Sequence, residues 1–256
     1  MTNFRKNFKP LLEVLFTDIK KMDRKDHLLL WIVPFTILSI SLMLYFSGNP
    51  SLAGLVAPAE NWEWGIIENL QALLVLLMAG LFAKGAFRTD DNLIRAAFGL
   101  LFIFSVFVFV EEIDYGAHYR HLITGQKESY LDTLTGTYNL HNQGNNAKLF
   151  KRPVYGLICL IFLVSPYIGR LDPKNILRKL TDGNTYFQMV IPSPRMALLV
   201  AVLVFADLFP RALVFSGLRE DGGFGVNIGE FSEFIMYYLF FRYLALIRTR
   251  TDSQIA

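Results

Sequence analysis

Long, nearly uncharged apolar blocks constrain this chain more than any other feature, because a helix needs about twenty such residues to cross about 30 Å of hydrocarbon. Six stand out: His27 to Ser47, Gly65 to Phe87, Leu93 to Val110, Pro153 to Ile168, Met189 to Phe209 and Gly229 to Leu246. Composition agrees, since 53% of the 256 residues are hydrophobic and the mean hydropathy is +0.37, too apolar for a soluble domain of this size. The expected fold is all-α, a polytopic membrane protein of six transmembrane helices, with the fourth span short.

Residues 1 to 26 are charged and contain no cleavable signal pattern, so the first span is expected to stay in the chain. Apolar residues recur at Phe8, Leu11, Leu12, Leu15, Phe16 and Ile19 beside Lys9, Lys20 and Lys21. That 3.6-residue period on a basic background predicts an amphipathic helix lying on the membrane surface, where it anchors the chain or docks a partner. The expected organisation is a cytoplasmic amphipathic segment over 1–26, one six-helix domain over 27–248 and a short cytoplasmic tail over 249–256. Residues 113–152 form the only long connection, and loops of that length usually carry function or are disordered. Cys159 is the single cysteine, which excludes an intrachain disulfide.

Eighteen of the 25 Lys and Arg residues fall at one set of span ends and seven at the other. The positive-inside rule then places both termini in the cytoplasm and the 113–152 loop outside, which would be the periplasm in a Gram-negative cell. The net charge of +3 mostly reflects this asymmetry and gives no reason to expect nucleic acid as a partner.

Ionisable residues at span ends point to a site, because charge near hydrocarbon is costly and usually has a role. The second span enters from outside through Glu63 with Glu68 about one turn deep, and the third leaves through Glu111 and Glu112. The fifth carries Asp207 and Arg211 in its last turn, and the sixth begins with Glu230 and Glu233. Four spans thus bring acidic residues to one outer face. If the third span continues as a helix, Glu111, Asp114, His118 and His121 fall within about an 80° arc at 100° per residue. Carboxylate and imidazole together suit a divalent metal such as Zn, Fe or Mn, with His118 and His121 at a chelating spacing. Glu230, Glu233 and Tyr237 make a matching face, and Asn139-Leu140-His141-Asn142 has to fold back to complete the site.

Each group also has a plainer reading. Glu111 and Glu112 can be solvated interfacial residues, and Trp62, Trp64, Tyr115 and Tyr119 look like an aromatic belt. Asp207 and Arg211, four apart, suit a structural ion pair. His118 and His121 fit a solvent-facing loop equally well. Glu68 is the hardest to explain away, since a carboxylate one turn inside an apolar helix needs a partner.

The strings Glu63-Trp64-Gly65-Ile66-Ile67-Glu68-Asn69-Leu70, Glu111-Glu112-Ile113-Asp114-Tyr115-Gly116 and Asn139-Leu140-His141-Asn142 together resemble a family of uncharacterised bacterial polytopic inner-membrane proteins. The family pattern runs Glu-Glu-Ile-Ser-Trp-Gly-Gln-Arg, then Asn-Leu-His-Asn, with Glu-Asp-Gly-x-x-Glu-Trp-Leu-Thr upstream. This chain departs from it with Asp114 for Ser, Tyr115 for Trp and Ala117-His118 for Gln-Arg. The resemblance spans about residues 60 to 145 and implies one site built from Glu63, Glu68, Glu111, Glu112 and His141.

Two functions from different classes follow. One is an enzyme at the outer membrane face acting on a lipid-like substrate, with Glu68, Glu111, Glu112 and His141 as acid, base or metal ligands. The other is a non-catalytic membrane subunit whose polar cluster knits helices together within a membrane-protein complex. A transporter is a weaker third reading, because six spans without a visible inverted repeat argue against it.

Overall fold

The computed structural model describes residues 13, 16–56, 65–124, 153–167, 190–216 and 223–255, and among them it is helical with no strand. Asp23 opens the first long helix, α1 (Arg24–Tyr45), by accepting from Asp26 N at 2.7 Å. A π-turn over Leu28–Ile32 lies just ahead of Pro34, whose missing N–H removes a bond from the regular ladder. Gly48, at φ +74, turns the chain into the short α2 (Pro50–Val56).

The pair α3 (Ile66–Arg88) and α4 (Asn92–Glu112) is joined by a three-residue turn. Asp91 caps α4 by accepting from Leu93 N and Ile94 N, and Arg95 returns to Thr89 O at 2.7 Å. Near this turn a Cβ on Gly85 would meet the Phe98 ring at 3.0 Å, so the glycine lets the two helices approach closely. Beyond α4 come α5 (Ala117–Thr124), α6 (Pro153–Val164), α7 (Ala197–Phe215) and α8 (Gly223–Ile255).

Helix α8 is central: α3 packs on one side of it and α7 on another, while α4 packs on α3. One apolar core gathers Leu30 of α1, Ile158 and Phe162 of α6, Leu199 and Leu203 of α7, and Phe231, Ile235 and Leu239 of α8. A second joins Val75, Met78 and Phe82 of α3 to Phe240 and Phe241 of α8. Half of the apolar stretch of α3 is buried but only 6% of that of α4. Leu100, Ile103 and Phe104 therefore face outward, as lipid-facing residues do.

Among the described residues three helices, α1, α3 and α4, are long and apolar enough to cross a membrane, and α6 is a shorter apolar helix. This is the make-up of a membrane protein. Several element ends differ from those expected. The fifth block starts its α-helix late, at Ala197, because Pro192 and Pro194 hold residues before it in a turn and a 3-10 segment. It then continues through Pro210 to Phe215, so Asp207 and Arg211 are not in its last turn. Helix α8 begins at Gly223, which puts Glu230 and Glu233 two or more turns inside it, and runs on to Ile255 where a separate tail was expected. The expected amphipathic helix is described only in part, as a helical stretch over 16–20 with Phe16 exposed.

Candidate functional site

The site forms where the first turn of α3, the last turn of α4 and the N-terminal third of α8 meet. Gly65, extended at the N-cap, starts α3 so that Glu68 falls in its first turn, and Asn69 Nδ2 returns to Gly65 O at 2.9 Å. Glu68 is buried, and the charged groups nearest it are the carboxyls of Glu230, Glu112 and Glu233. Among these charges Glu230 acts on it most strongly.

Tyr237, one turn beyond Glu233 on α8, donates its hydroxyl hydrogen bond to Glu112 Oε1 at 2.6 Å, linking α8 to α4. Glu112, Glu233 and Glu68 are the charged groups around this phenol. Gln71, one turn below Glu68, crosses from α3 to α8 by donating from Nε2 to Glu230 O at 2.9 Å. Three helices thus converge on a layer made of Glu68, Gln71, Glu112, Glu230, Glu233 and Tyr237.

The end of α4 shows why the neighbouring Glu111 faces another way. The helix stops at Glu112, and Asp114, Tyr115 and Gly116 all take left-handed φ values, 47°, 56° and 80°. Glycine tolerates that region freely, whereas an ordinary side chain costs about 1–2 kcal/mol there. The reversal is held by Gly116 N donating to Ile113 O at 2.8 Å, by a hydrogen bond from the Tyr115 hydroxyl to Glu111 Oε1, and by full burial of Asp114. It also redirects α5, whose Tyr119 hydroxyl donates to Asn69 Oδ1 on α3 at 2.9 Å. Outside the span, the bond to Glu111 holds the Tyr115 phenol above the ordinary tyrosine range, with partial burial and the charges of Glu111 and Asp114 adding to it.

This break overturns the expected single helical arc through Glu111, Asp114, His118 and His121. Left-handed residues between 114 and 116 reset the helix phase, so the 100° spacing does not carry from α4 into α5. Among the described residues no group of three or more His, Cys, Asp or Glu could hold a metal ion. The side chains of His118, His121 and Arg211, and residues Glu63, His141 and Asn142 as a whole, lie outside the described residues. Asp207 is half-buried on α7.

The structure therefore brings together Glu68, Glu112, Glu230 and Glu233 of the expected site, with Glu111 and Asp114 beside them at the end of α4. Gln71 and Asn69 were missed by sequence reasoning. Gln71 carried a usable signal, since it is an amide three residues from Glu68 in an otherwise apolar helix; nothing marked Asn69 as the acceptor for Tyr119. Comparison with family models, curated proteins and solved structures finds no match for the chain.

Proposed function

We propose that the chain is a six-span bacterial inner-membrane protein, with both termini cytoplasmic, whose periplasm-facing carboxyl and tyrosine layer is an acid–base site acting on a lipid-like substrate. One observation carries the reading: Glu112 of α4 accepts from the Tyr237 phenol of α8, and buried Glu68 of α3 has Glu230, Glu112 and Glu233 as its charged neighbours. A carboxyl pair holding one proton contains both a donor and an acceptor, which general acid–base catalysis requires. Lipid is the favoured substrate class because the layer lies at the ends of apolar helices, where a headgroup would sit. In this reading Glu68 and Glu230 exchange a proton and Tyr237 orients Glu112.

The test is reconstitution of the full chain in vesicles of bacterial polar lipid, with lipid species followed by mass spectrometry. The wild type should generate a new or depleted species, and Glu68→Gln and Glu112→Gln should slow its appearance by about a hundredfold or more, the usual weight of a general acid or base. Identical lipid profiles for wild type, both variants and empty vesicles would overturn the enzyme. The Tyr237 to Glu112 and Tyr119 to Asn69 bonds, which tie helices together, favour a structural subunit as the second reading. That reading predicts unchanged lipids and loss of a co-purifying complex in Tyr237→Phe.

A further inference from the structure

Glu68 and Gln71 stand three residues apart, so both lie on the face of α3 that meets α8. Gln71 is fully buried, and its Nε2 donates to Glu230 O. That bond fixes the amide's orientation, because the reversed amide would set an oxygen against a carbonyl. Gln71 Oε1 is left with no hydrogen-bond partner among the described residues, and so is Oε1 of Glu68, which is only 7% exposed. A buried acceptor left without a donor costs stability. The Gln71 oxygen is an indication separate from the carboxylates, since it is neutral and its amide is held in place by α8.

We propose that Glu68 Oε1 and Gln71 Oε1 are ligands of a monovalent alkali cation bound between α3 and α8. Both are hard oxygen donors, and together they carry one negative charge, matching an ion of charge +1. A divalent ion would call for a richer set, and no group of three or more His, Cys, Asp or Glu fit for a metal occurs among the described residues. Glu112 on α4, Glu230 and Glu233 on α8, and the Tyr237 phenol surround Glu68 and deepen the negative potential. The cation competes with the proton between Glu68 and Glu230, because Glu68 ligates best when ionised. The inference rests on the reading of this layer as a proton-exchanging membrane site, and its test reads binding and not turnover.

The full chain is placed in nanodiscs of phosphatidylcholine, and equilibrium binding of radioactive sodium is measured. Thermal midpoints are compared in sodium, potassium, ethanolammonium and choline chlorides at equal ionic strength. The expected result is saturable binding that weakens as pH falls, with a midpoint that rises with sodium or potassium over choline. Glu68→Gln and Gln71→Leu should weaken binding by about tenfold or more, the factor for losing a charge-assisted contact. Asp90→Asn, exposed in the α3–α4 turn, should leave binding unchanged. No alkali-specific binding or midpoint shift in the wild type overturns the proposal even if the variants fail to fold. Binding unchanged in both folded variants also overturns it, and a response to ethanolammonium alone would assign the two acceptors to an amine headgroup. Cation binding without lipid turnover removes the enzyme and keeps the ion; turnover without binding does the reverse.

Discussion

At the 3-10 segment just ahead of α7, Asp18 accepts from Ser193 Oγ at 2.8 Å and from Arg195 N at 3.0 Å, while Arg195 pairs with Asp26. Where α3, α4 and α8 meet, carboxyls face carboxyls and two buried acceptors lack donors. The first cluster lies at the start of α7, 19 residues and about 28 Å long, and the second on the opening part of α8. The first cluster ties the N-terminal segment, α1 and α7 together by opposite charge, as a fastening does. The second concentrates like charge next to apolar packing, an arrangement that costs stability and is retained where a site needs it.

Substitutions can break or sharpen this contrast. Arg195→Ala should have the largest effect, a loss of about 2–3 kcal/mol in denaturant titration, because it strands Asp26 at a partly buried position. Tyr237→Phe should cost about 1.5 kcal/mol by removing a hydrogen bond to a carboxylate, measured the same way. Gly116→Ala should cost about 1 kcal/mol from backbone strain alone, since nothing lies within 4 Å of the added Cβ. Glu68→Gln should be neutral or stabilising by about 0.5 kcal/mol while abolishing function, the trade expected of a strained site. If Glu68→Gln instead destabilises as much as Arg195→Ala, the acidic layer is a fastening too and the contrast collapses.

The smallest effect concerns Tyr115. Its folded form keeps the proton above the ordinary value of 10.0 and the unfolded chain does not. The stability this supplies is therefore present below that value and is lost as pH rises through the folded one. Tyr115→Phe should give a shallower alkaline fall in the thermal midpoint than the wild type, and an unchanged fall would show that Glu111 does not hold the phenol.

Sequence patterning located the apolar helices and put Glu68, Glu112, Glu230 and Glu233 near one another, because each lies within about a turn of the end of an apolar run. It misjudged where helices end. Pro210 is carried inside α7, and α8 extends well past its apolar part at both ends. Hydropathy marks where lipid can be met, whereas helix ends depend on capping and packing that hydropathy does not register.

A similar division holds for the site. Hydrophobicity accumulates residue by residue along the chain, so the sequence by itself determined that this is a helical chain with helices apolar enough to cross a membrane and acidic residues near their ends. Which face each helix turns inward depends on contacts between segments far apart in sequence. Tertiary structure alone therefore decided that Gln71 reaches Glu230, that Tyr237 meets Glu112, and that the left-handed turn at 114–116 removes α5 from the phase of α4.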